Sequence, residues 1–227
     1  MKTSGKNAST KNTLIGRIAD YFGMNKKFHE FLDDNICLDP DIVISPVEAT
    51  LVNFGKINAD GKIISKSKTE IKLNEVIGNY ADLFRCGIYF NFYLSPKNRH
   101  YWKIPYNCKL VSTKINNGKA IIPVLIGLDN LFDGNNYFAK AIQKNASIGL
   151  VFKTKTFYFA MIPVGSLNVN GIHVVNDSKG KYKKGDIGGY FSIGSSMLLC
   201  FPDHLFDMLI DIGEKVHIGD TILRLRL

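Results

Sequence analysis

Residues 188–201 read GGYFSIGSSMLLCF. From Met197 to Phe201 this is the unbroken apolar run of a buried strand, and two adjacent hydroxyls, Ser195 and Ser196, stand at its start behind the Gly194–Ser195 peptide bond. A strand that only fills a core has no use for two hydroxyls. The stretch is therefore either a kink of small residues or a peptide bond placed to react.

Outward from it the chain continues in short β-forming segments. SIGLVFKTKTFYFAMIPVG (147–165), NGIHVV (170–175) and KAIIPVLIG (119–127) precede it, and KVHIGDTILRLRL (215–227) follows. The pairs Gly185–Asp186 and Gly219–Asp220 suit tight reversals in front of strands. FPDHLFDMLIDIGE (201–214), between them, has the length of a loop or a short helix. Earlier in the chain, DPDIVISPVEATLVNFGKINADGKIISK (39–66) predicts strand, turn and strand, with the turn near Asp60–Gly61. KLNEVIGNYADLF (72–84) predicts a helix, and CGIYFNFYLSP (86–96) an aromatic strand stopped by Pro96. The expected class is α+β and β-rich, with antiparallel sheets and a helical N-terminal portion.

That portion begins with a polar, basic dozen residues and then NTLIGRIADYFGMNKKFHEFL (12–32). Leu14, Ile15, Ile18, Ala19 and Phe22 recur at helical spacing, and Phe28, Phe31 and Leu32 continue the apolar face beyond Gly23. Such a segment either lies on an anionic membrane or packs on the domain. Residues 1–35 are read as a basic arm with an amphipathic helical segment, and 36–227 as a single domain, since no shift of composition marks a linker.

The chain has 227 residues, enough for a real core, and no stretch is apolar for the roughly 18 residues of a membrane-spanning helix. Its net charge of +9 favours an anionic partner. Nucleic acid is not expected: Arg is scarce, and RNA-binding aromatic motifs and zinc-finger spacings are absent. Cys37, Cys86, Cys108 and Cys200 are widely spread and read as reduced thiols, and the N-terminus lacks a secretory h-region, so a cytoplasmic location is expected. The five histidines, at 29, 100, 173, 204 and 217, show no metal-ligand spacing, and no metal is expected. Nucleophile-elbow, P-loop, dinucleotide-binding and HExxH patterns are also absent.

Four stretches, taken together and in order, carry a resemblance. IVISPVEATLVNFGKI (42–57), GNYADLFRCGIYFNFYLSPKNRHYWKIP (78–105), IPVGSLNVNGI (162–172) and KKGDIGGYFSIGSSMLLCF (183–201) are similar in order and spacing to the motifs of the phosphatidylserine decarboxylase proenzymes. The similarity runs from about residue 40 to 225. It implies sheets arranged as a hybrid of sandwich and barrel, and it gives the opening stretch a chemistry. In that family a Gly-Ser bond within an LGST-like motif cleaves itself: the serine hydroxyl attacks the preceding carbonyl, the ester undergoes β-elimination, and the new chain begins with a pyruvoyl group. Here the matching bond is Gly194–Ser195, within IGSS, so the implied cofactor is a pyruvoyl derived from Ser195. Its carbonyl takes up the substrate amine and accepts the electrons left by carbon dioxide.

The departures from the pattern concern the base. A family aspartate in a PADG-like motif orients a histidine, and SPVEA puts Glu48 in the aspartate's place. The family's YLSPxDYHRxHxP-like motif is YLSPKNRHYWKIP here, so His100 matches the first histidine and Lys103 stands for the second, the base. Lysine acts as a base only when neutral, and a neighbouring carboxylate favours its ammonium form. The two changes match in charge, and a Glu48–Lys103 contact is expected. Either His100 takes over as base, or Lys97 and Arg99 activate Lys103, or the chain stays uncut.

The resemblance also places Gly165, Ser166 and Tyr93 near the substrate, although alternating aromatics such as Tyr89, Phe90, Phe92 and Tyr93 are more often core. Lys66, Lys68 and His173 read as a surface pair of charges and a structural imidazole. The implied activity is conversion of phosphatidylserine to phosphatidylethanolamine by a protein held on the inner face of an anionic membrane, and a homodimer is compatible with it. Two alternatives stay open: an unprocessed protein that binds lipid or a partner, and a decarboxylase of a soluble amino acid.

Overall fold

The computed structural model describes residues 7–8, 34–64, 70–95, 97–118, 122, 137–165, 171–175, 180–191 and 195–226. The expected helical segment within 12–32, nearly all of KAIIPVLIG, Lys66, Lys68, Ser166 and Gly194 lie outside them. Among the described residues the strands are β1 (Asn7–Ala8), β2 (Ile42–Ile44), β3 (Ala49–Lys56), β4 (Lys62–Ile64), β5 (Glu70–Lys72), β6 (Ile88–Leu94), β7 (Tyr101–Lys103), β8 (Cys108–Asn116) and β9 (Ser147–Lys153). They continue as β10 (Tyr158–Gly165), β11 (Ile172–Val174), β12 (Lys181–Tyr182), β13 (Ile187–Phe191), β14 (Ser195–Phe201), β15 (Phe206–Met208), β16 (Lys215–Val216) and β17 (Thr221–Leu225).

An eight-stranded sheet in the order β12-β8-β9-β10-β14-β6-β3-β16 forms the centre, and β14 lies inside it between β10 and β6. Two smaller sheets, β1-β11-β13-β7 and β15-β17-β2, and the hairpin β4-β5 complete the set. Every described pairing is antiparallel, and none of the sheets closes into a barrel. The protein is thus β-rich with few helices, as expected for an α+β chain. KLNEVIGNYADLF is a one-turn helix, Leu73–Ile77, continued as a 3-10 segment, Gly78–Phe84. FPDHLFDMLIDIGE contains a 3-10 turn, Asp203–Leu205, and strand β15.

Period-two alternation divides the apolar residues of the central sheet between two cores. Phe90, Phe92, Leu150, Phe152, Phe159, Met161, Met197, Leu199 and Phe201 face the first, which also takes Trp102, Ile104 and Phe191 from the β7/β13 side and Leu223 from β17. Val151, Ala160, Ile162, Val164, Leu198 and Cys200 face the second, covered by Leu73, Val76 and Ile77 of the short helix and by Ala139 and Ile142 of the helix Tyr137–Lys144. Burying each such side chain is worth about 1.5–3 kcal/mol, so the three-layer stack holds the start of β14 firmly at its centre.

The two glycines that open GGYFSIGSSMLLCF make room for an indole. A Cβ at Gly189 would lie 2.2 Å from both the Trp102 ring and the His173 carbonyl oxygen, and one at Gly188 2.6 Å from Trp102 Nε1. Trp102 is wholly buried and packs on Phe191 at 4.8 Å between centroids. Gly189→Ala is therefore expected to lower stability by about 3 kcal/mol, because neither the backbone carbonyl nor the caged indole can yield. Urea unfolding measures it, and a loss below about 0.5 kcal/mol would contradict the packing.

Candidate functional site

Ser195 is the first residue of β14, paired in register with Gly165 of β10 on one side and Leu94 of β6 on the other. It is fully buried, and its Oγ has no hydrogen-bond partner among the described residues. Ser196 shares both properties. Alternation nevertheless separates them: Ser195 has the parity of Met197 and Phe201 and faces the first core, whereas Ser196 has the parity of Leu198 and Cys200 and faces the second. Tyr93 is the register partner of Ser196 and packs against Ala141, so its ring belongs to the face away from Ser195. Asn145 anchors Gly165, donating to its carbonyl at 2.7 Å, while Gly165 N–H donates to the Ala146 carbonyl.

His100 lies just before β7, and its carbonyl accepts from the Phe191 N–H at 2.8 Å. The backbones of 94–100 and 191–195 are thus tied together at both ends, by Leu94 with Ser195 and by His100 with Phe191. His100 is 1% exposed, and its Nδ1 sits 2.6 Å from the Asn98 carbonyl oxygen. A carbonyl can only accept, so Nδ1 carries the hydrogen and Nε2 keeps its lone pair. Nε2 is buried without a partner. Burial pushes the imidazole pKa down, and this outweighs the upward pull of the Asn98 carbonyl and the Glu48 charge.

Glu48 and Lys103 belong to one charged network, but they are not each other's ion-pair partners. Lys103 Nζ pairs with Asp34 Oδ2 at 3.0 Å, and Arg99 Nε pairs with Glu48 Oε2 at 2.5 Å. Arg99 also reaches Asp34 through Nη1, Tyr101 OH donates to Asp34 at 2.9 Å, and Asn98 Nδ2 donates to Glu48 at 3.0 Å. The expected Glu48–Lys103 pair thus gives way to two pairs linked through Arg99. Geometry explains the exchange. Tyr101 and Lys103 share one side of β7 and meet Asp34, while Trp102 and Ile104 take the other side and enter the first core.

The Asp34 and Lys103 side chains are 5% and 9% exposed. Burial pushes the Asp34 carboxyl up, but hydrogen bonds from Lys103, Arg99 and Tyr101 together hold it below the usual carboxylate value. Glu48 is likewise raised by burial and then held low overall by Asn98 and Arg99. The segment carrying Asp34 is fixed beneath the Gly-Asp turns: Gly219 has φ 99°, and a Cβ there would lie 2.4 Å from the Asn35 carbonyl oxygen. A cleft of about 540 Å³ opens beside it, lined by Asp34, Cys37, Arg99, His217 and Asp220 among others.

Sequence reasoning missed Asp34, which it placed in the N-terminal arm, and Asn145. It weighed Arg99 only as a neighbour of Lys103, not as the partner of Glu48. Asn98 stands where the quoted family pattern has an aspartate, a signal that was available. His173 stacks on Tyr190 at 4.6 Å, in keeping with a structural role. Among the described residues no cluster of three or more His, Cys, Asp or Glu side chains is placed to hold a metal ion.

Comparison with known proteins leads first to a class of proenzymes. A phosphatidylserine decarboxylase proenzyme of Anoxybacillus flavithermus is 30% identical over 171 residues, covering 74% of this chain and 61% of that protein. One of Halalkalibacterium halodurans is 30% identical over 208 residues, covering 86% and 77%, and one of Bacillus subtilis 25% identical over 214, covering 91% and 78%. The chain thus spans about three fifths to four fifths of these relatives. The phosphatidylserine decarboxylase family model matches residues 24–224, and the chain belongs to that family.

Proposed function

We propose that this protein cleaves itself between Gly194 and Ser195 and then decarboxylates phosphatidylserine to phosphatidylethanolamine, a carboxy-lyase activity. The observation that carries the reading is the buried, unpartnered Ser195 hydroxyl at the head of β14, held between Gly165 and Leu94. A buried hydroxyl without a partner costs about 1–3 kcal/mol, and that cost is accounted for if the oxygen is kept free to attack. The residue also fits the family's pyruvoyl group, whose carbon atoms would be those of Ser195.

Attack of Oγ on the Gly194 carbonyl exchanges an amide for an ester. β-Elimination then removes the Ser195 Cα proton and expels the Gly194 carboxylate, and water hydrolyses the dehydroalanine left behind to the N-terminal pyruvoyl with release of ammonia. Once formed, the group supplies a carbonyl that receives the electrons released with carbon dioxide. Gly165, across the ladder, presents no side chain to Ser195. Residues 36–227 form the processing domain in this reading, with the family's sandwich-barrel arrangement. The basic arm of residues 1–35 holds the protein on the inner face of an anionic membrane, where a homodimer is compatible with the site.

One observation favours a second reading. Lys103, at the position of the family's base, is engaged by Asp34, as a protein that binds without processing would allow. Carbon dioxide release separates the readings. Phosphatidylserine in mixed micelles is expected to yield carbon dioxide and phosphatidylethanolamine, borohydride treatment to stop the reaction, and free serine to be inert. No release from the lipid, or faster release from free serine, would contradict the proposal.

A further inference from the structure

We infer that the base for self-cleavage is His100 Nε2, which takes the Ser195 Oγ proton in place of the side chain at position 103. The inference rests on the proposed self-cleavage and deepens it by assigning the proton.

Two complementary buried atoms carry it. Among the described residues Ser195 Oγ–H is a donor without an acceptor, and His100 Nε2 is an acceptor without a donor. Their backbones are joined through the two ties described above, and Trp102, two residues beyond His100, enters the same core that Ser195 faces. Ser196 cannot substitute, because it faces the opposite core. The Asn98 carbonyl does for this imidazole what an orienting carboxylate does elsewhere: it takes the Nδ1 hydrogen and so fixes the tautomer with Nε2 free.

The other candidate bases are occupied. Lys103 donates to Asp34, and an ammonium in an ion pair has no lone pair to offer. Glu48 accepts from Arg99 and Asn98. His217 is exposed and lies 3.5 Å from Asp220, and His204 is exposed on the 3-10 turn. The network around Asp34 therefore acts as a structural clamp on β7. It fixes His100 from behind without carrying the proton.

In the transfer, the Oγ–H bond breaks as Oγ–C forms at the Gly194 carbonyl, and the proton moves to Nε2. It returns to the Ser195 amine as the C–N bond breaks, so the imidazole is regenerated before elimination. Neutral imidazole is the active form. The cleavage rate therefore rises with pH through a midpoint below the ordinary histidine value of 6.5, since burial outweighs the pull of Glu48 and the Asn98 carbonyl.

The test follows cleavage of freshly purified full-length chain by intact mass over time. His100→Gln is expected to slow cleavage about 10²–10⁴-fold, while Lys103→Gln, which can still donate to Asp34, stays within about tenfold of the unsubstituted chain. His100→Ala is expected to regain cleavage when imidazole is added, which a purely structural role would not permit. If the unsubstituted chain cuts and His100→Gln cuts equally fast, or the rate rises only at alkaline pH, the assignment is overturned and the proposed function stands. If the unsubstituted chain never cuts, the function fails and the assignment with it.

Discussion

Ser195→Ala is expected to leave the protein a single 25.4 kDa chain under all conditions, whereas Ser196→Ala still cleaves. The two residues are chemically identical neighbours, equally buried and equally without hydrogen-bond partners. What separates them is the strand period. Ser195 faces the core shared with Trp102 and Phe191, and Ser196 faces Leu198, Cys200 and the helices on the other side. An acyl shift also needs its nucleophile on the residue that follows the scissile carbonyl, and only Ser195 follows Gly194. Removing the second hydroxyl leaves a methyl in an apolar environment and relieves an unpaired buried oxygen, so Ser196→Ala should fold at least as stably as the parent. Mass spectrometry of the two variants after identical incubation checks both halves. Cleavage in Ser195→Ala, or its loss in a folded Ser196→Ala, would show that the register does not select the nucleophile.

Asp34→Asn is expected to destabilise the fold by about 3–5 kcal/mol, the effect of removing one member of a buried ion pair. Lys103, 9% exposed on its side chain, would lose its Asp34 carboxylate, and Arg99 would lose one of its two carboxylates. Retained stability, within about 1 kcal/mol by urea unfolding, would contradict the network. The pH dependence has a fixed sign. Asp34 and Glu48 are both held below their ordinary values, so each contributes stability that is present above the unfolded carboxylate range and is lost as pH falls through the folded pKa. His100 has the opposite charge type: its folded pKa is lowered, so its contribution fades as pH drops below 6.5 and the unfolded chain takes up the proton. The protein should therefore begin to lose stability at mildly acidic pH, first through His100 and then through the carboxylates.

Much of the fold was legible because it rests on local patterning. The apolar run at 197–201, the β-forming stretch 147–165 and the two Gly-Asp reversals all follow from side-chain period and backbone freedom. The Gly-Ser bond was legible through its place among four ordered motifs. The partners of Glu48 and Lys103 were not, because they depend on which side of β7 each residue takes and on a segment far away in sequence. Asp34 and Arg99 are 65 residues apart, and the Gly219 turn, which admits the backbone at Asn35, is one of the contacts that hold the Asp34 segment in place. Opposite charges at family positions suggested a direct contact. The chain instead supplied each with its own counter-ion, one adjacent in the motif and one from outside it.

The free Nε2 of His100 was equally hidden. Sequence placed an imidazole at the right motif position but could not say which nitrogen would carry hydrogen. That depends on the turn Ser95–Asn98, where the Asn98 N–H and side chain bond back to Ser95 and aim the Asn98 carbonyl at Nδ1.

The most direct test is the intact mass of the purified, unsubstituted protein before and after borohydride reduction. The expected result is two chains, one of them a fragment of about 3.8 kDa comprising residues 195–227, whose pyruvoyl terminus gains two hydrogens on reduction. A single 25.4 kDa species, unchanged by reduction and persisting in the presence of phosphatidylserine, would contradict it.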